Sequence, residues 1–146
     1  MIPTLTLEEA IEGYSLDYPV EKRPLRFPDK EGEFILTSPW HVQTVNAETD
    51  QPLGVVGLTY EVVSNREAFE IADPMVKAGS SIMGGGAPNF GERAYLVLQT
   101  NQTIEIAPGD VIHNRYILIN SFDGSSKIEL RFTPYRSMVG VAFTPF

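Results

Sequence analysis

The chain contains no cysteine. Disulfides, thiol nucleophiles, cysteine-based zinc sites and iron–sulfur clusters are excluded together. Histidine is scarce as well: His41 and His113 are the only two, and neither has a partner at metal-binding spacing. No apolar run approaches the ~20 residues that span a bilayer. The start, Met1-Ile2-Pro3-Thr4-Leu5, lacks the basic residues and long apolar stretch of a signal peptide. No membrane partner is expected, and a cytoplasmic location is. There is no Gly-x-Ser-x-Gly elbow for a nucleophile. Gly84-Gly85-Gly86 is not followed by Lys-Ser/Thr, so it reads as a mobile hairpin connection rather than a phosphate loop. Asp110 and Asp123 could attract a cation, but both lie in turns where a carboxylate commonly accepts from local amides. The expectation is a non-enzyme with no catalytic residue, no cofactor and no metal.

Positive charge is also in short supply. Eleven Lys and Arg face nineteen Asp and Glu, a net charge of −8. Residues 1–73 hold 14 acids and 5 bases, a net of −9, and residues 74–146 hold 5 acids and 6 bases, a net of +1. The acidic half favours basic partners and repels phosphate backbones. The other half is free to face an anion.

What is present is the material of a folded domain. At 146 residues, with 42% hydrophobic and 21% charged side chains, the chain is globular rather than disordered and forms one domain over 1–146. Thr6-Leu7-Glu8-Glu9 is a capping box that opens a short helix, with Leu7, Ala10 and Ile11 on one face and Gly13 at its end. From Tyr18 to Val62 the pattern is β. Lys22 to Pro28 is extended, with prolines that suit an edge; Phe34 to Leu36 and His41 to Val45 are short strands separated by Pro39; Leu53 to Val63 is a longer one. Together they read as an antiparallel meander.

Ser64-Asn65-Arg66-Glu67 is a second capping box. It opens the main helix, Ser64 to Gly79, whose apolar stripe is Ala68, Phe69, Ala72, Met75 and Val76. Pro74 predicts a kink or a division into two short helices. Ala94 to Leu98 reads as a strand buried on both faces, and Thr103 to Ile106 as a brief strand before the turn at Ala107-Pro108-Gly109-Asp110. Val111 to Asn120 and Lys127 to Thr133 are the best strands, joined through the hairpin dipeptide Asp123-Gly124. Ile128, Leu130 and Phe132 alternate with Lys127, Glu129 and Arg131, which predicts one dry and one wet face. The fold class is therefore α+β: an antiparallel sheet of meander and hairpins with one main helix packed on a face.

The basic residues that remain for function lie in or beside these C-terminal strands. Lys127, Arg131 and Arg136 are interleaved with Phe132 and Tyr135, and Arg93 and Tyr95 begin the Ala94–Leu98 strand. A basic sheet face with aromatic side chains can follow a single-stranded backbone and stack its bases. The competing account is an ordinary sheet surface in which Glu129 pairs with these bases. The predicted nucleic-acid-binding set is Arg93, Lys127, Arg131 and Arg136. Lys22-Arg23-x-x-Arg26 is a second, less specific cluster beside Glu21.

An ordered series of segments carries a family resemblance. They are Tyr18-Pro19-Val20-Glu21-Lys22-Arg23-Pro24-Leu25, Leu53-Gly54-Val55-Val56-Gly57, Tyr60-Glu61-Val62-Val63-Ser64-Asn65-Arg66-Glu67-Ala68-Phe69, Ala107-Pro108-Gly109-Asp110, Asn120-Ser121-Phe122-Asp123-Gly124-Ser125-Ser126 and Arg131-Phe132-Thr133-Pro134-Tyr135-Arg136. In order and spacing this set resembles the phage/plasmid-like protein family, domain of unknown function 932. The chain lacks that family's usual N-terminal Pro-Trp-His-Gly segment, the Cys and Asn after its final Arg motif, and its long C-terminal region. The resemblance implies a home on a phage, plasmid or integrated element in a bacterial host cell, near recombination genes. It implies an accessory protein that binds or anneals single-stranded DNA; because one subunit supplies too few contacts to line up enough bases, a homo-oligomer is expected. The alternative is an acidic phage protein that binds and inhibits a basic host defence protein.

Overall fold

The computed structural model describes residues 5–125, 128–138 and 141–143, with side chains described as far as Arg136. The first helix, α1 (Leu7–Gly13), forms as its capping box dictates. Thr6 Oγ1 accepts from the Glu9 amide and Glu9 Oε1 accepts from the Thr6 amide, both at 3.1 Å. Its inner face buries Ala10 and Ile11.

Three strands follow as an antiparallel meander: β1 (Val20–Pro28), β2 (Ile35–Asn46) and β3 (Gln51–Gly57), in the order β1-β2-β3. Pro39 does not divide β2 as the sequence suggested. Pro24 lies opposite Val42 and Arg26 opposite Thr37, so β2 has extra residues relative to β1 at this point. Pro39 sits in that irregularity, where it owes the ladder no amide. β3 also ends earlier than expected. The Tyr60 amide turns back to the Gly57 carbonyl at 3.0 Å, and Tyr60 Oη then donates to the Ser121 carbonyl at 3.0 Å. The 60–64 segment thus crosses to the second sheet instead of extending the first.

The main helix resolves into the two short helices that Pro74 allows, α2 (Asn65–Ala68) and α3 (Ala72–Lys77). Ser64 caps α2 by accepting from the Glu67 amide. Pro74 falls in the first turn of α3, where a missing N–H costs nothing. Phe69, between the two helices, is completely buried.

The second sheet has six strands: β4 (Ser81–Gly86), β5 (Arg93–Ala107), β6 (Asp110–Ser121), β7 (Glu129–Phe132), β8 (Tyr135–Met138) and β9 (Val141–Phe143). The order is β4-β5-β6-β8-β9, and β7 pairs with the same edge of β6 as β8. The glycine run is strand, not a mobile connection. A Cβ on Gly85 would lie 2.8 Å from the Tyr14 ring and one on Gly86 3.1 Å from the Tyr95 hydroxyl. The small residues let α1 and a neighbouring ring pack directly on the backbone. Between β4 and β5 a turn at Pro88–Gly91 puts Asn89 and Phe90 at φ of 54° and 60°. Asn46 Nδ2 donates to the Phe90 carbonyl and Tyr18 Oη to that of Gly91, which holds this left-handed turn in place.

The hairpin expected at Asp123-Gly124 forms: Tyr116, Ile117, Leu118 and Ile119 pair antiparallel with Phe132, Arg131, Leu130 and Glu129. Gly124 takes a φ of +79°. Two burial expectations are corrected. Ala94, Leu96 and Leu98 are buried, but Tyr95 between them is exposed, so β5 is dry on one face only. Ile128, Leu130 and Phe132, expected to be dry, are about half exposed. Both corrections have one cause. The helices cover one face of β4, β5 and β6 around Leu96, Leu98 and Leu118, and they stop before β7.

A smaller apolar junction ties the sheets together. Phe122 is buried with the Tyr18 ring edge-on at 5.9 Å, and Val45, Leu53 and Val56 of the small sheet are buried as well. Thr44 Oγ1 donates to the Phe122 carbonyl, and the Phe122 amide donates to that of Glu92. Gly54 meets Asp123 so closely that a Cβ would lie 2.5 Å from its Cα. A buried amide pair locks the helices onto the large sheet: Asn65 Nδ2 donates to the Leu16 carbonyl while Asn65 Oδ1 accepts from Asn120 Nδ2, both at 3.0 Å.

Candidate nucleic-acid interface

Strand alternation sorts the side chains of the six-stranded sheet onto two faces. Ala94, Leu96, Leu98 and Leu118 point at the helices. The intervening residues point the other way, onto a face that carries no covering layer among the described residues. Val97 and Ile117 form its half-buried centre, opposite one another in register. Tyr95 and Ile119 lie toward one end, and Gln99 and Arg115 toward the other.

The structure places the predicted residues unequally. Arg93 is on the bare face, at its end, and donates to Ser125 Oγ at 2.7 Å with the Asp123 carboxylate 3.7 Å away. Arg131 is on the same face, opposite Ile117, and donates to Glu129 at 2.7 Å. Arg136 is not: it pairs with Ile112, whose side chain points to the opposite face. There it makes a two-pronged bond with Asp110, at 2.9 and 2.6 Å. The Arg136 hydrogen bond holds the Asp110 carboxyl below its ordinary range, and Asp110 raises the guanidinium in turn. Asp110 is thus committed to an arginine rather than to a turn amide. Asp123 does make its turn, accepting from the Ser125 amide at 2.8 Å. Lys127 lies outside the described residues. In the less specific cluster, Arg23 is bound to Glu21 and Asp50, and Lys22 donates to the carbonyls of Leu58 and Tyr60.

Arg115 is the residue that sequence reasoning missed. Its guanidinium carbon lies 4.0 Å from the centre of the Tyr135 ring, and its Nε donates to Gln99 Oε1 at 2.8 Å. Gln99 Nε2 in turn meets His113 Nδ1 at 3.3 Å, and the His113 ring lies 5.9 Å from that of Tyr135. Among the described residues Arg115 has no carboxylate partner, unlike Arg93, Arg131 and Arg136. The available signal was strand alternation. Arg115 is two residues from Ile117 in the strongest strand, on the face that also receives Arg131.

A carboxyl pair borders this face. A hydrogen bond to Asp123 raises the Glu92 carboxyl. Burial works against ionisation of Asp123, but bonds from Ser125 and Glu92 and the charge of Arg93 outweigh it and lower its pKa. Elsewhere, a cleft of about 380 Å³ beside Tyr18 and Phe90 is rimmed by Glu12, Asp17 and Glu48, a surface that repels phosphate. His41 and His113 lie in different sheets, and among the described residues no three His, Asp or Glu side chains converge as metal ligands. No described helix is long and apolar enough to cross a membrane.

Comparison with known proteins adds one finding. No curated protein and no solved structure matches the chain. Residues 52–138, from β3 through β8, match the family described as Domain of unknown function (DUF932). That span contains Arg93, Tyr95, Arg115, Arg131 and Tyr135 of the bare sheet face and exceeds half of the chain, so the protein belongs to the DUF932 family.

Proposed function

We propose that this chain is a non-enzymatic accessory protein of a phage, plasmid or integrated element that binds single-stranded DNA on the bare face of its six-stranded sheet. The observation that carries the reading is the Arg115–Tyr135 stack on a sheet face that no described helix covers. Tyr135 and Tyr95 offer flat faces for bases, and Arg115 offers a cation without a carboxylate of its own. Arg131 and Arg93 add phosphate contacts after exchanging their Glu129 and Asp123 partners for phosphate oxygens. Both exchanges cost energy, and the net charge of −8 opposes approach. Binding by one chain is therefore weak. Two or three phosphate contacts give a salt slope of only about −1.5 to −2, at about −0.7 per contact.

Fluorescence anisotropy with a labelled oligonucleotide at low salt tests this. Arg115→Glu and Tyr135→Ala should each weaken binding by about tenfold, the size of one stacking or charge contact. No binding by the unaltered protein at high micromolar concentration, or binding indifferent to both substitutions, would remove the site.

One observation favours a second reading, inhibition of a basic host protein. The β1–β2 hairpin exposes Phe34, Ile35 and Trp40 at 65, 66 and 73%, next to Asp29, Glu31 and Glu33. An apolar tip flanked by acids suits a partner with an apolar pocket and a basic rim. This reading replaces the first if the oligonucleotide does not bind and Trp40→Ala abolishes association with a host protein.

A further inference from the structure

Edge strands invite pairing with other chains, and proteins usually blunt them. Three of the edges here are blunted. β1 carries Pro24 and Pro28 with Lys22 and Arg23; β3 carries Pro52, Gly54 and Gly57; β4 is broken by a bulge after Ile82 and ends in three glycines. The outer edge of β8 is taken by β9, and β9, which ends the sheet in this direction, is only three residues long. β7 differs. It pairs with β6 on one side, and its other side has no partner strand among the described residues. It contains no proline, glycine, lysine or bulge. Its side chains are exposed: Leu130 at 51% and Phe132 at 56%, with Ile128 just before it at 47%.

The sequence of this edge is complementary to itself. Ile128-Glu129-Leu130-Arg131-Phe132 is apolar at the centre and both ends, with an acid and a base placed symmetrically between. If two copies pair antiparallel about Leu130, Glu129 of each faces Arg131 of the other, and Ile128 faces Phe132. Facing residues in an antiparallel pair share a face, so both charge pairs fall on the bare side and the apolar contacts on the other. We infer that β7 is a self-association edge, and that a second copy of this chain adds to it about a two-fold axis.

The charges support this occupant in particular. Glu129 and Arg131 already form an ion pair within one strand. In the dimer the two pairs become a square of alternating charge, which no partner lacking the same antisymmetry reproduces. An isologous contact of this kind closes on itself and stops at two copies. It also joins two six-stranded sheets into one, with both bare faces on the same side. The inference does not depend on what that face binds.

Sedimentation of the full chain from about 1 µM to about 1 mM tests it, because a short strand pair gives a weak dimer. The unaltered protein should dimerise. Glu129→Arg puts two bases opposite each other and Arg131→Glu two acids; each variant alone should associate at least about tenfold more weakly. Mixed in equal amounts, the two variants should recover a heterodimer, because each supplies the charge the other lacks. The double variant Glu129→Arg/Arg131→Glu should dimerise as the original does. Circular-dichroism melts establish that each variant is folded. A protein that stays monomeric throughout would overturn the inference and leave the edge to a strand from another protein. Single variants that dimerise undiminished, or folded variants that fail to recover on mixing, would overturn it equally.

Discussion

The two sheets of this protein are built from similar strands and stabilised in different ways. The six-stranded sheet owns the core: Phe69, Leu96, Leu98, Leu118 and Ile82 are sealed between strands and helices, with Ala10, Ile11 and Leu16 from the N-terminal segment. The three-stranded sheet buries few apolar residues, chiefly Val45, Leu53 and Val56, and it is fastened through the Phe122–Gly124 segment. At the far end of the β1–β2 hairpin, large apolar side chains stand in water. One sheet supplies stability and presents a bare face, while the other is a lightly held arm. The matched family span starts at β3 and so leaves out most of that arm.

This contrast can be broken at either end. Phe69→Ala should have the largest effect. It empties a completely buried site at the centre of the main core and should cost about 3–5 kcal/mol, seen as a lower denaturant midpoint for the whole chain. Gly54→Ala should cost less, about 1–3 kcal/mol, because the new methyl group meets the Asp123 backbone. Its signature is local: amides of β1–β3 should exchange faster while those of β5 and β6 keep their protection. Equal loss of protection in both sheets would show that they unfold as one unit.

The smallest effect concerns pH. Arg66 binds Glu8 of α1 and Asp17, and its hydrogen bond holds the Glu8 carboxyl below the usual range. Arg136 does the same for Asp110. A depressed carboxyl contributes stability above its unfolded pKa and loses it as pH falls through its folded one. Melting temperature should therefore fall below about pH 4. Arg66→Ala should lower it at neutral pH but narrow its difference from the unaltered protein in acid. The groups are exposed, so the change should be small beside the two above.

Much of the fold was legible because local chemistry and tertiary structure agree. The Thr6–Glu9 capping box, the division around Pro74, the Asp123-Gly124 hairpin and the N-terminal meander follow from propensity and turn geometry. The errors arose where a distant neighbour decided. Gly84-Gly85-Gly86 resembles a loop until Tyr14 and Tyr95 are seen to require the missing side chains. Pro39 resembles a break until the register of β1 supplies an irregularity to hold it. Alternation in 129–132 correctly gave two faces, but dryness depends on what covers a face, and no strand encodes that alone. The candidate site was legible in part. Arg93 and Arg131 share a face as parity required, whereas Arg136 crossed to Asp110 and Arg115 found Tyr135 only through β6–β8 pairing.

The central claim is that the bare face of the six-stranded sheet is the working surface. Photo-crosslinking of a single-stranded oligonucleotide, with the attachment sites read by mass spectrometry, tests it most directly. The account predicts adducts at Tyr95 and Tyr135, suppressed by Arg115→Glu. Adducts confined to Phe34 and Trp40 on the arm, or none at low salt, would contradict it.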